Sequence, residues 1–376
     1  MQIYELKIQY FKDNGLKFIH IIFYICKLFK FMYFSNSLLH WYLQEKRDLP
    51  WRNTTNPYKI WLSEIILQQT RVAQGLPYYL AFTEKYPTIF DFAAADEEAI
   101  LKLWQGLGYY SRARNMHKTA QQIVSEYQGV FPNNYHDLLK LNGVGPYTAA
   151  AIASFAFNEV VSVVDGNVFR VLSRFFDIDT DISSSKARNE FFDLAQELIS
   201  KEQPALFNQA IMEFGAMQCV PKNPNCNQCI FSHACLALQN NNVSARPVKL
   251  KKTKVTQRFL HYLVYRDDEN QTIVSKRTQK GIWHNLYEFP FIETESEASI
   301  EEIKKQIEMQ STDNDIDEIY VYNDLKITHK LSHQNLTLRF YYIKLHHHIP
   351  NGIPLDELEK LPFPIVLHNF IQKYLI

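Results

Sequence analysis

The 376-residue sequence has no net charge: 40 Lys and Arg are matched by 40 Asp and Glu. No global positive field is present, which counts against a partner held by bulk electrostatics alone. Cysteine is scarce, and five residues in a chain of this size exclude a disulfide framework. Four of the five crowd into 219–235, whereas Cys26 stands apart as an ordinary thiol. Such clustering points to a metal site in a reducing compartment. A long uninterrupted apolar run is also missing. FIHIIFYICKLFKFMYF (18–34) comes nearest, but His20, Lys27 and Lys30 break it, so a membrane span is not expected. No small-residue cleavage site follows that would mark a signal peptide. Residues 1–31 are read as an N-terminal extension: an added helix, a weak membrane anchor, or a stretch upstream of a start at Met32, the last being favoured.

Hydrophobic residues make up 46% of the chain and aromatics 14%, ample for real cores, and the length suits two domains. Sustained strand alternation is absent from 35 to 240. Instead, helical periodicity recurs in 35–46, 60–86, 96–127, 136–141, 187–200 and 204–217. An all-α domain is expected over 32–237. RPVKLKKTKVTQR (246–258) holds six basic residues and no acid, and overlaps a basic linker expected over 238–257. Beyond it, FLHYLVYR (259–266), TIVSKR (272–277), EIYVYN (318–323) and LTLRFYYIKL (336–345) are β-branched and aromatic, with period-two stretches. With a helix at 299–310 and helical segments at 355–361 and 363–375, they predict an α+β domain over 258–376.

Four stretches carry chemistry. Cys219, Cys226, Cys229 and Cys235 are four soft ligands within seventeen residues, suited to zinc or to a 4Fe–4S cluster. A single CxxC hook with unequal gaps favours the cluster. Glu64 lies among Ile, Leu and Trp in IWLSEIILQQT; lost hydration raises its pKa and makes it a candidate general acid. The plain alternative is a helix carboxylate paired with an unseen Arg or Lys. Asp165 stands in VVDGNV at a helix start, with Asn167 as an N-cap candidate. The positive helix end favours its ionised form, and its plain alternative is capping alone. One neutral and one charged acid form the arrangement used on glycosidic bonds. LNGVGPYT (141–148) has glycines at Gly143 and Gly145 around Val144 before Pro146. Such a turn offers bare amides at a helix N-terminus, a ready anion site.

Together with RDLPWR (47–52), SEIILQQTRV (63–72), WQGLGYYSRARN (104–115), VVDGNVFRVLSR (163–174) and GIWHNLYEFP (281–290), these stretches closely resemble adenine DNA glycosylases of the MutY type. That family lies within the helix-hairpin-helix, endonuclease III-like superfamily, and the resemblance covers roughly 32–376. It implies a helix-hairpin-helix glycosylase domain with an iron–sulfur loop, followed by a Nudix-like domain. It also implies that Glu64 protonates adenine and Asp165 stabilises the sugar cation, assisted by Tyr147 and Asn167. Arg47, Leu49, Trp51 and Gln209 would line the adenine pocket, and Gln69, Thr70, Leu107 and Tyr109 would wedge into the duplex. Bifunctional relatives carry Lys where Tyr147 stands. A phenol cannot form a Schiff base, so a monofunctional enzyme using water is expected. The C-terminal domain lacks the clustered Arg and Glu of a Nudix pyrophosphatase. Ser332 and His333, in Leu331-Ser332-His333, fall where the family reads 8-oxoguanine; Leu331 departs from the family's Phe, and a strand-flanking loop with an incidental Ser and His is the plain reading. The partner implied is duplex DNA with adenine opposite 8-oxoguanine or guanine, bound by a cytoplasmic monomer with no stable membrane association. Rival readings are a related glycosylase with another base preference, a non-catalytic reader of damaged DNA, and a nucleotide hydrolase.

Overall fold

The computed structural model describes residues 29–250, 254–310, 316–322 and 326–376. The chain divides into two compact units, one of Met1–Glu64 with Phe131–Lys251 and one of Ile65–Val130 with Lys252–Ile376. Most of the extension expected at 1–31, including Cys26, lies outside the described residues, and residues 29–45 already form one helix, α1.

The first unit is helical. α1 buries Phe34, Leu38, Trp41 and Tyr42, one face at helical spacing. The helix α2 (Pro57–Leu67) begins where Pro57 fits a first turn. After Phe131 come α7 (Tyr135–Leu138), α8 (Pro146–Phe157), α9 (Gly166–Phe175), α10 (Ser185–Leu198) and α11 (Pro204–Met217). Local signals explain their ends. Pro146 occupies the first turn of α8, which stops at Asn158 in the left-handed region, and the Ser184 hydroxyl accepts from the Ala187 amide to cap α10. Aromatic rings knit the core: Phe34 stacks on Phe231 at 4.9 Å, and Phe175 and Phe214 meet Phe231 edge-on. The start of the expected basic linker is docked here. Arg246 pairs with Asp177 at 2.8 Å, and the Leu250 amide donates to Asp181 Oδ1.

The second unit joins helices to a sheet. α3 (Val72–Lys85), α4 (Ile89–Ala94), α5 (Glu97–Leu103) and α6 (Ser111–Tyr127) come from residues 65–130. The run expected as one segment at 60–86 is broken at 68–71, where Gln69 turns with φ 55°. The run at 96–127 is broken likewise at 104–110, with positive φ at Gly106, Gly108 and Tyr109. Trp104, Phe82 and Phe92 fill the helical core. In the C-terminal segment, β1 (Thr256–Arg266) pairs in parallel with the later strand Gln334–Leu345, from Thr256↔Gln334 to Arg266↔Lys344. The short strand Phe291–Thr294 flanks β1 on its other side, and Ile316–Val321 and Ile327–Lys330 run antiparallel to Gln334–Leu345. Residues 260–264 are buried without alternation because both faces of the sheet are covered. The helix Ile300–Gln310 packs Ile303 and Ile307 with Leu263, Tyr341 and Ile343, and Phe370 of the helix Ile365–Tyr374 stacks on Phe340 at 3.6 Å. TIVSKR, expected as one strand, forms two separate two-residue strands, each paired with a different partner, and 355–360 is a 3-10 helix. Among the described residues, no helix is long and apolar enough to cross a membrane.

Candidate active site

Glu64 meets Tyr147, Asp165 and Asn167, 83 or more positions later in sequence, in the first unit. Glu64 rides on α2 among the buried side chains of Trp61, Ile60 and Leu62, and only 7% of its surface is exposed. Tyr147, one residue into α8 after Pro146, donates its hydroxyl to Glu64 Oε2 at 2.7 Å. Burial pushes the Glu64 carboxyl up to about 7; the Tyr147 hydrogen bond and Arg52 oppose that shift, and nearby Asp165 adds to it. Burial also raises the Tyr147 phenol well above its ordinary value, so it remains a donor.

Asp165 is itself the N-cap of α9. Its Oδ1 accepts from the amides of Asn167 and Val168, both at 2.8 Å, and its Oδ2 accepts from Asn167 Nδ2 at 2.7 Å. Asn167 is therefore a partner inside the first turn, where the sequence suggested it as the cap. The amides at the helix end favour the ionised form of Asp165, as expected, but burial works against them. Burial raises its carboxyl above the usual range, and the three hydrogen bonds pull against that rise. Arg170 extends the network, donating to Asn167 Oδ1 at 2.8 Å and to the carbonyls of Gly215 and Cys219.

A second polar cluster lies in the same unit. Arg47 and Arg52 both form paired hydrogen bonds to Glu213, with closest approaches of 2.6 and 2.7 Å. Glu213 is buried, yet its carboxyl is held down to about 2: burial alone would raise it, and the two guanidiniums outweigh burial. Tyr42 donates to Gln209 Oε1 at 2.7 Å. Arg52 and Gln209 line one open pocket with Asn53, Thr54, Phe155 and Gln203. Of the residues expected around a base, Leu49 and Trp51 are buried, and Arg47 keeps a third of its side chain exposed. Sequence reading missed Glu213 and Arg52; Glu45 and Asp48 stand beside the two arginines in sequence, so no local signal pointed to Glu213.

The glycine turn has the expected shape with one change. Gly143 takes φ 70°, whereas Gly145 is an extended N-cap at φ −88°. Both are exposed; Val144 is buried, and its amide donates to the Leu141 carbonyl at 3.2 Å. In the second unit, Gln69, Thr70 and Tyr109 sit on the loops 68–71 and 104–110. Tyr109 is 45% exposed, whereas the Leu107 side chain is buried. Ser332 and His333 occupy an exposed turn between two antiparallel strands, 3.1 Å apart through Oγ and Nδ1.

Cys219, Cys226, Cys229 and Cys235 are free thiols that line a single cavity with Arg174. Arg174 NH1 lies 3.4 Å from Cys219 Sγ, and the Phe231 amide lies 3.4 Å from Cys229 Sγ. Burial pushes the Cys229 thiol up to about 12. Among the described residues, no group of three or more His, Cys, Asp and Glu is placed to hold a metal ion. Four soft donors spread around one cavity suit a larger, multi-atom group.

Residues 62–197 match the family described as HhH-GPD superfamily base excision DNA repair protein, and residues 261–373 match the NUDIX domain. The chain is 36% identical over 305 residues to the adenine DNA glycosylase of Buchnera aphidicola subsp. Schizaphis graminum, covering 81% of this chain and 85% of that protein. It is 31% identical over 346 residues to that of Buchnera aphidicola subsp. Acyrthosiphon pisum, covering 90% and 97%. Against the adenine DNA glycosylase of Homo sapiens it is 46% identical over 215 residues, 55% of this chain and 39% of that one. Among solved structures, a thermostable thymine-DNA glycosylase superposes with a TM-score of 0.53 at 30% identity, over 57% of this chain and 99% of that one.

Proposed function

Because the chain belongs to the adenine DNA glycosylase family of base-excision repair enzymes, we propose that it hydrolyses the N-glycosidic bond of adenine paired with 8-oxoguanine or guanine. The observation that carries this reading is the partly buried hydrogen bond from Tyr147 to a Glu64 whose carboxyl sits at about 7. Glu64 gives its proton to the adenine ring as the bond from the base to the sugar carbon breaks. Asp165, oriented by two amides and Asn167, faces the cation left on the sugar. Water adds to that carbon and returns a proton to Glu64, leaving free adenine and an abasic sugar. Tyr147 offers no amine, so no Schiff base forms and the strand stays intact.

The amides of Gly143, Gly145 and Tyr147 suit a phosphate, and Gln69, Thr70 and Tyr109 suit insertion beside an extruded base. Leu107, buried in its loop, supports them from within. Ser332 and His333 read the altered guanine edge. Cys219, Cys226, Cys229 and Cys235 would hold a 4Fe–4S cluster, which when bound cross-links the loop. The enzyme acts as a monomer.

A strand-cleavage assay with and without alkali, on adenine opposite 8-oxoguanine, guanine and thymine, tests the whole reading. Breaks are expected only after alkali, fastest opposite 8-oxoguanine, with no borohydride-trapped adduct. Breaks without alkali, or excision of a mismatched thymine instead of adenine, would overturn it. Ser332→Ala should lower the preference for 8-oxoguanine over guanine, and unchanged discrimination would remove Ser332 from that role.

A further inference from the structure

The loops 68–71 and 104–110 are held in costly backbone. Gln69 and Tyr109 adopt φ 55° and 47°, a region that non-glycine residues seldom occupy. One side chain serves both loops. Arg112, at the start of α6, donates through NH1 to the carbonyls of Ile65, Ile66 and Gln68 at 2.9, 3.0 and 2.6 Å. Through NH2 it donates to the carbonyls of Leu107 and Gly108, both at 3.2 Å, and approaches Thr70 Oγ1 at 3.5 Å. Its guanidinium lies over the rings of Trp104 at 5.0 Å and Tyr109 at 5.7 Å. Carbonyl oxygens and ring faces take the place of a carboxylate partner for this charge. The carbonyls of Ile65 and Ile66 belong to the end of α2, where chain oxygens lack partners within the helix. A planar fork can span two loops in this way, whereas a lysine ammonium places its donors at one point. Trp104 and Tyr78 add a frame: Trp104 Nε1 donates to Gly108 O at 3.0 Å and the Tyr78 hydroxyl to Gln105 O at 2.6 Å.

We infer that Arg112 is a positioning residue for base extrusion: its guanidinium ties the two loops together and holds Gln69 and Tyr109 in the conformations that enter the base stack. The inference rests on the proposed role of those loops as the duplex wedge. Charge at this site is not enough, because the fork must reach five carbonyls on two segments.

The test uses the full chain as Arg112→Lys, which keeps the charge, and Arg112→Met, which keeps the stem, both assayed below their thermal midpoints. Extrusion is read by 2-aminopurine fluorescence at the target position, and excision by single-turnover rate on a paired duplex and on the same adenine in an unpaired bubble. Arg112→Lys should lose about tenfold or more on the duplex, with a reduced fluorescence rise, and stay within about threefold of wild type on the bubble. Arg112→Met should show the same split more strongly. Wild-type extrusion by Arg112→Lys, or equal losses on duplex and bubble, would overturn the inference. Gln69→Ala and Tyr109→Ser, run in parallel, separate the two layers. Should they leave extrusion intact, the wedge reading fails; should they abolish it while Arg112→Lys does not, the failure is confined to Arg112.

Discussion

Glu64 and Glu213 lie in the same unit with 7% and 1% of their surface exposed, and their surroundings drive them to opposite charge states. Around Glu64 the flanking side chains are apolar, its direct hydrogen bond comes from a neutral phenol, and Arg52 and Asp165 act in opposite directions, so burial governs and the carboxyl sits at about 7. Around Glu213 two guanidiniums close on one carboxylate, and the carboxyl falls to about 2. Burial raises both, so the partners decide. One carboxyl is left able to give a proton near neutral pH, and the other is committed to holding Arg47 and Arg52 in place.

The two should also respond oppositely to pH. The Glu64 value is raised above the ordinary 4.5, so its contribution to stability is full below about 4.5 and is lost as pH rises through about 7. The Glu213 value is depressed, so its contribution is present above about 4.5 and is lost as pH falls through about 2.

Removing the proton donor should have the largest effect. Glu64→Gln is expected to lower single-turnover adenine release by about 10²- to 10⁴-fold while DNA affinity is retained. The same variant should gain stability relative to wild type as pH rises from about 4.5 to about 7, because an amide carries no charge to bury. Near-normal turnover would erase the distinction between the two glutamates. Glu213→Gln comes next: it leaves two guanidiniums without their counter-charge and should cost about 3 kcal/mol in urea unfolding, the low end for a broken buried pair because Arg47 keeps a third of its side chain in solvent. A loss too small to measure would mean that the arginines find other partners. Tyr147→Phe should have the smallest effect. It removes the hydrogen bond that lowers the Glu64 value, so the alkaline limb of the rate profile should move to higher pH, with a rate loss below about tenfold. A shift to lower pH would reverse the assigned sign.

Much of this contrast was legible in the sequence for Glu64 and little of it for Glu213. IWLSEIILQQT places one acid in an apolar helix, and lost hydration follows from its immediate neighbours. Glu213, in IMEFGAM, reads almost identically, as one acid among apolar residues. What separates the two is a pair of arginines more than 160 positions away, a contact that only the folded chain makes. Asp165 shows the same limit. Its capping role follows from the local VVDGN pattern, but the burial that raises its carboxyl comes from tertiary packing. The fold classes were readable because helical periodicity and strand-type runs are local signals. The break at 68–71 was not, because no glycine or proline marks Gln69, whereas Gly106 and Gly108 did mark the break at 104–110 without foretelling the positive φ of Tyr109. Leu107 and Val144 looked like contact residues from their motifs, yet both side chains turn into the core.

Carbon-13 NMR titration of the glutamate side-chain carboxyls, assigned by Glu64→Gln and Glu213→Gln, tests the difference between the two acids most directly. One resonance with a midpoint near 7 is expected, and Glu64→Gln should delete it, while the resonance deleted by Glu213→Gln should stay ionised down to about pH 2. A Glu64 carboxyl titrating at an ordinary 4 to 5 would contradict its role as the acid that protonates the departing base.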